Sequence, residues 1–417
     1  MGRISLWRQR QALSRIFKKH FSSDNLAGMI VAERKFPARL RPDLQRALDE
    51  LFKDRTKVRH FTSILAQRHD ALSVAILAAN PDAMSPAAPL YEEIEIGEES
   101  PARCLQNGLW LATEGNVNYV MLMARSDSPP FGDGSLRVQI GVIGAVGMEI
   151  VEKLFGRLND VVRSSRCYRG KVLSLDEVSR YTGESQGVKV HKLRTVAREE
   201  VILPRKTLEL LERNVLRFVE RRENLGKFGQ SRKKGLLFYG PPGTGKTHTI
   251  HYLAGALKGH TTLLISAEQV GLLSEYMTLA RLLQPSMVII EDADLIARER
   301  AQMQSVCEEV LLNKLLNEMD GLKEDAEVLF ILTTNRPETL EAALTARPGR
   351  IDQAIEFPLP DDEGRRKLLA LYSRGMKLDE TISQEILKRT AGVSGAFIKE
   401  LMRRSVQFHL EKNQNGQ

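Results

Sequence analysis

The second half of the chain predicts an α/β domain built on a parallel five-stranded sheet, with a helical segment after it and an α+β region before it. Three observations carry that expectation. Short apolar runs at Leu236–Tyr239, Leu263–Ile265, Met287–Ile290, Val328–Thr333 and Ala354–Phe357 alternate with helical stretches, the pattern of strands covered on both faces. The first run passes directly into Gly240–Pro241–Pro242–Gly243–Thr244–Gly245–Lys246–Thr247, a complete match to G-x-x-x-x-G-K-[ST] in a strand–loop–helix setting. The third run ends in Glu291–Asp292–Ala293–Asp294 and the fourth in Thr333–Thr334–Asn335. Carboxylates and an amide are thereby expected at the same sheet edge as the loop.

Composition sets the outer bounds. A chain of 417 residues with 42% hydrophobic and 27% charged residues is long enough for two or three domains and ordinary for a globular protein. No apolar run reaches the length of a membrane span, and no apolar signal core opens the chain, so a cytoplasmic protein is expected. Cys104, Cys167 and Cys307 are dispersed, without metal-ligand spacing, and read as reduced structural thiols. The net charge of +8 is uneven: residues 1–70 hold 16 Lys/Arg against 7 Asp/Glu, whereas residues 71–155 hold 4 against 11. Solvated faces are the commoner cause of such a split. Nucleic acid or an acidic partner is admitted by the charge but supported by nothing else in the sequence.

Residues 1–80 read as a basic helical region. Arg3, Arg8, Arg10, Arg15, Lys18 and Lys19 interleave with Ile4, Leu6, Trp7, Leu13, Ile16 and Phe17 as in an amphipathic helix, for which packing on its own domain or contact with an acidic surface are the alternatives. Pro42–Asp43 opens a second helix with an apolar face at Leu44, Ala47, Leu48, Leu51 and Phe52, and a third is expected from Phe61 to Ala79. Asn80–Pro89, with three prolines, reads as a linker.

Residues 81–195 read as an α+β domain and hinge, with strands at Tyr91–Ile96, Gly108–Ala112, Val117–Ala124 and Leu136–Ile143, a helix from Met148 to about Val162 and a short strand at Lys171–Leu175. His20, His60 and His69 are the histidines before residue 190, and no nucleophile lies in a recognisable elbow, so recognition or scaffolding is expected here. Residues 196–357 hold the sheet. They open with a helix after Leu203–Pro204 that carries Leu208, Leu211, Val215, Phe218 and Val219 at helical spacing, and residues 358–417 follow as a helical segment.

The loop chemistry follows from residue type. Glycines let backbone N–H groups close around phosphate oxygens where a Cβ would obstruct. Lys246 supplies a fixed positive charge for the β/γ-phosphates, and Thr247 offers a hydroxyl to Mg²⁺ in the first turn of a helix whose N-terminus favours anions. Gly240, Pro241, Pro242, Gly243, Thr244, Gly245, Lys246, Thr247 and His248 are therefore the candidate ATP-binding residues.

With these motifs in order, residues 200–417 resemble an AAA-type ATPase. The resemblance rests on the loop, the acidic pair Glu291–Asp292, Leu311–Leu316 with Asn317–Glu318–Met319–Asp320–Gly321–Leu322, the sensor position Asn335, Arg347–Pro348–Gly349–Arg350–Ile351–Asp352, and a lid-like Ala391–Gly392–Val393–Ser394–Gly395–Ala396. It implies a self-assembled ring, usually a hexamer, with ATP and Mg²⁺ between subunits. Asn335 would orient the attacking water, and Arg347 and Arg350 would reach the neighbour's γ-phosphate, a task suited to a permanently charged, bidentate guanidinium. It also implies a protein client, chosen by the N-terminal region. A nucleotide-dependent binding or scaffold module acting on nucleic acid through the basic N-terminus, with slow hydrolysis, is the alternative, and the salt dependence of binding separates the two.

Three departures from the family pattern stand out. The acidic pair runs Glu291 then Asp292 instead of Asp then Glu, an order similar to the branch containing the mitochondrial Rieske-protein translocase. Position assigns Glu291 and Thr247 to the metal and Asp292 to water, whereas residue type assigns the reverse. Ala267–Glu268–Gln269–Val270–Gly271 has Gln269 where threading members carry an aromatic residue, with Tyr276 nearby as a substitute in a helix at Ser274–Leu283. Phe397 replaces the usual acidic residue of the lid motif.

Overall fold

The computed structural model describes residues 13–22, 26, 28–66, 72–80, 84–125, 135–144, 147–164, 166–175, 187–293, 317–337, 351–376 and 378–414. These fall into two compact units, one of Met1–Tyr168 with Leu175–Val190 and one of Arg169–Ser174 with His191–Gln417.

The first unit is a six-stranded antiparallel sheet formed by β1 (Met29–Phe36), β2 (Val58–Ala66), β3 (Met84–Ala87), β6 (Gly108–Glu114), β7 (Val117–Arg125) and β8 (Leu136–Ile143), beside a small hairpin of β4 (Tyr91–Ile94) and β5 (Ala102–Leu105). The order is β1-β8-β7-β6-β2-β3. Alternation along β6 and β7 sends Leu109, Leu111, Val120 and Leu122 into one core with Leu13, Phe17 and Leu77. The opposite face stacks Trp110 against Phe52 and Phe61, with ring centroids 5.0 and 5.1 Å apart. Arg41, 3% exposed, anchors the hairpin by donating to the carbonyls of Cys104 and Leu105 and pairing with Glu92. Cys104 and Cys167 are buried, and burial pushes the Cys104 thiol up to about 12.

Three expectations for this unit are corrected. Residues 13–21 are helical and 29–36 form β1, so the basic amphipathic stretch does not continue to residue 35; residues 1–12 lie outside the description. The helix expected over Phe61–Ala79 is strand β2 followed by a short helix, Val74–Ala79. The polar Thr62 and Ser63 are buried next to Ile64, so hydrophobicity does not alternate along the strand. The linker at Asn80–Pro89 contains β3, which pairs with β2 through Ile64↔Pro86 and Leu65↔Ser85. Pro86 is tolerated there because β3 is an edge strand. A domain boundary at residue 80 would cut this pairing.

In the second unit β9 (Val172–Leu175) joins the sheet through Val172 and Leu173, while β10 (Val188–His191) lies where the chain passes between units. The sheet has more strands than the five expected, for besides β9 it holds β11 (Lys234–Tyr239), β12 (Thr261–Ile265), β13 (Ser286–Ile290), β14 (Val328–Thr334) and β15 (Gln353–Glu356). They lie side by side as β12-β13-β14-β11-β15, every neighbouring pair parallel. Leu236, Phe238, Met287, Ile289, Leu329, Ile331 and Ile355 form one buried face with Leu211, Val215, Ile250 and Leu253 from the covering helices. The approach helix begins at Arg205 and continues to Lys227 through a π-helical turn at Glu212–Leu216. Helices Asp362–Tyr372, Glu380–Arg389 and Gly395–Gln414 close the unit. None of the described helices is long and apolar enough to cross a membrane.

Asp352, the last residue of the arginine-bearing motif, holds two strands together. Its Oδ2 accepts from Gly235 N–H at 2.7 Å and its own N–H donates to Gly235 O at 2.8 Å. Asp352→Ala leaves that buried N–H without its acceptor and is expected to lower the unfolding free energy by about 1–3 kcal/mol. Asp352→Asn, which keeps an oxygen, should lose less than half as much in urea titrations.

Candidate nucleotide-binding site

The chemistry-bearing residues meet where β11, β13 and β14 end. The Lys246–Ala256 helix starts at the invariant lysine of the loop motif. Gly240, with φ +144°, admits Phe357 O so closely that a Cβ would lie 2.2 Å from it. A Cβ on Gly243, at φ +76°, would meet Ser394 Oγ at 2.8 Å and Ala396 Cβ at 2.9 Å, and Ala396 N–H donates to Gly243 O at 3.1 Å. Gly240 and Gly243 are thus required by the neighbouring chain.

Lys246 is 8% exposed, and its Nζ donates to Gly240 O at 2.7 Å, Pro241 O at 3.1 Å and Asn335 Oδ1 at 2.7 Å. Thr244 Oγ1 donates to Pro241 O at 2.8 Å and stiffens the loop. Asn335 Nδ2 donates to Asp292 Oδ1 at 3.2 Å, and Thr247 Oγ1 donates to Glu291 Oε1 at 2.9 Å. The two carboxylates therefore have different partners. A hydroxyl beside a carboxylate is a hard-oxygen donor set of the kind Mg²⁺ takes, so Thr247 and Glu291 fit the metal.

Beside these groups is a cavity of about 400 Å³ lined by the loop from Pro242 to Thr249 and by Asp292, Thr333 and Asn335. Two other walls complete the cavity, one of them at the start of the approach segment. The segment Glu200–Pro204 supplies one, and Asp361, Leu368, Tyr372 and Lys399 from the C-terminal helices contribute the other. An N-cap signal at Asp361 was available, since its side chain accepts from Gly364 N–H at 2.7 Å. Nothing in the sequence marks Tyr372 as a wall residue.

Arg347, Arg350 and Asp294 lie outside the described residues, as do Leu311–Leu316. Tyr276 is fully buried in the helix Leu273–Leu282 and donates to Gln269 Oε1 at 2.9 Å. It is a core residue, so it does not offer the exposed aromatic that a threading loop needs. Phe397 is 53% exposed at the start of the last helix.

A glycine-shaped loop, its lysine, a strand-end acidic pair and a strand-end asparagine around one cavity define a P-loop nucleotide-binding domain. Residues 236–359 match the family described as "ATPase family associated with various cellular activities (AAA)". The chain is 34% identical over 254 residues to a proteasome-activating nucleotidase of Methanocaldococcus jannaschii, a match covering 58% of this chain and 55% of the relative. It is 33% identical over 240 residues to a cell division cycle protein 48 homolog of Archaeoglobus fulgidus (55% and 31% covered), and 32% identical over 214 residues to an ATP-dependent zinc metalloprotease FtsH 2 of a Thermoanaerobacter species (48% and 41%). The chain thus spans about half, or less, of the length of these relatives.

His248 braces one wall of the cavity, its Nε2 lying 3.2 Å from Glu200 O. Burial, the largest influence, lowers its pKa below the usual 6.5. The unfolded chain therefore takes up this proton first as pH falls, so stability held above pH 6.5 declines as pH drops through that value and on to the lowered one. His248→Gln keeps an N–H donor without the titration. Melting temperatures from pH 8 to 5.5 should fall less steeply for this variant than for wild type.

Proposed function

We propose that this chain hydrolyses Mg-ATP and couples that reaction to the remodelling of a protein client. The observation that carries the reading is the division of the acidic pair, with Glu291 on Thr247 and Asp292 on Asn335. In this reading Lys246 and the loop N–H groups hold the phosphates, and Thr247 and Glu291 hold Mg²⁺. The ion, when bound, neutralises charge on the phosphate oxygens. Asn335 orients water and Asp292 accepts its proton. The inverted order of the pair supports a place in the branch that contains the mitochondrial Rieske-protein translocase.

Arg347 and Arg350 act in trans in this reading and complete the site of a neighbouring copy in a ring, a hexamer on the family's pattern. The names of the relatives, a proteasome-activating nucleotidase and an ATP-dependent protease, associate such domains with nucleotide-driven action on proteins. We carry that association to this chain, with the N-terminal sheet unit choosing the client.

The test uses Lys246→Ala, Asp292→Asn and Glu291→Gln in parallel. Lys246→Ala should abolish nucleotide binding, since only backbone donors remain in the cradle. Asp292→Asn should keep Mg-ATP affinity and lose turnover by about 10²-fold or more, within the range for loss of a general base. Glu291→Gln should raise the Mg²⁺ concentration needed for binding. Wild-type affinity in Lys246→Ala would sink the assignment, and exchanged phenotypes for the acidic pair would make Glu291 the base.

A further inference from the structure

We propose that Thr333 is a positioning residue that sets the direction of the Asp292 carboxylate. The proposal rests on the hydrolytic reading of the site. Among the described residues, Ser22 and Asp292 are the non-glycine residues with positive φ, and Asp292 has φ +48°. Most side chains disfavour that conformation and Asp tolerates it better than most, so the partner of its amide decides how the turn is held.

The ladder between β13 and β14 runs in register to Ile290↔Leu332 and then ends. Glu291 N–H still continues the ladder on the β12 side, donating to Ile265 O at 3.1 Å. Asp292 N–H then donates to the side-chain hydroxyl of Thr333 at 3.0 Å, in place of a ladder carbonyl. Thr333 is 2% exposed on β14, an interior strand between β13 and β11.

The left-handed turn re-aims the chain between two adjacent carboxylates. Glu291 meets Thr247 at 2.9 Å, and Asp292 meets Asn335 at 3.2 Å while lining the cavity. In a continuing strand the two side chains would simply alternate across the sheet. Valine in place of Thr333 has nearly the same shape but no acceptor. The Asp292 amide would lose its partner and the segment could relax to negative φ, carrying the carboxylate away from Asn335. Serine keeps the oxygen.

The experiment measures single-turnover ATP hydrolysis and ADP affinity in the full chain for Thr333→Val, Thr333→Ala and Thr333→Ser, and for Thr333→Val combined with Asp292→Asn. Expected is a loss of turnover of about tenfold or more in the valine and alanine variants, a scale consistent with displacement of a reacting group by an ångström or less. Nucleotide affinity should stay within about threefold, and serine should restore most of the rate. On the Asp292→Asn background the valine change should cost no more than about twofold, because its effect passes through the carboxylate.

Wild-type turnover in Thr333→Val, a serine variant as slow as valine, or an undiminished loss on the Asp292→Asn background would each overturn the proposal. So would loss of folding or of nucleotide binding in both the valine and alanine variants, which would make Thr333 a structural residue. A wild-type chain without turnover would sink the ATPase reading and the positioning role together. That failure is distinguishable because it alone leaves the wild type inactive.

Discussion

A buried ammonium group organises the second unit. Lys246 is surrounded by two loop carbonyls and the Asn335 amide oxygen, and a cation so enclosed is tolerable only with its donors satisfied. Asn335 passes the constraint on, with its oxygen on Lys246 and its nitrogen on Asp292. One polar chain thereby ties the ends of β11, β14 and β13, which are neighbours in the sheet. The loop, sensor and acidic positions are held as one network before any ligand is considered, which limits the reorganisation left for the reaction.

The same network explains where sequence order departs from role. Glu291 and Asp292 are consecutive, yet one reaches the first turn of the Lys246–Ala256 helix and the other reaches Asn335. Chain direction, bent by the positive φ of Asp292, sets which partner each of the two carboxylates meets. Exchange of Asp and Glu across the pair is then a change of side-chain reach within a fixed division of partners.

Legibility in the sequence followed the strength of local signals. The five parallel strands were readable because each is a continuous apolar run bounded by polar turns, and the loop because its glycines and lysine have fixed spacing. The N-terminal sheet was harder. β2 buries the polar Thr62 and Ser63 next to Ile64, and β3 is four residues long and contains Pro86, so both were assigned to other structure. Glu200–Pro204 and Tyr372 reach the cavity only through tertiary packing, and no local pattern announces that. Gly243 was legible as a phosphate-loop glycine, but its contact with Ser394 and Ala396 depends on a segment about 150 residues away.

That last contact has a mechanical meaning. The helix Gly395–Gln414 begins at the phosphate loop, one backbone hydrogen bond from Gly243, and its 20 residues run about 30 Å at 1.5 Å per residue. Such a rod is a lever with its short end at the loop: a tilt of about 10° at Ala396 swings the distal end through roughly 5 Å at that length. Phe408 and Leu410, exposed near the far end, would sweep through most of that arc. A small change in how the loop closes is thus magnified into a displacement the size of a side chain, at a surface remote from the chemistry.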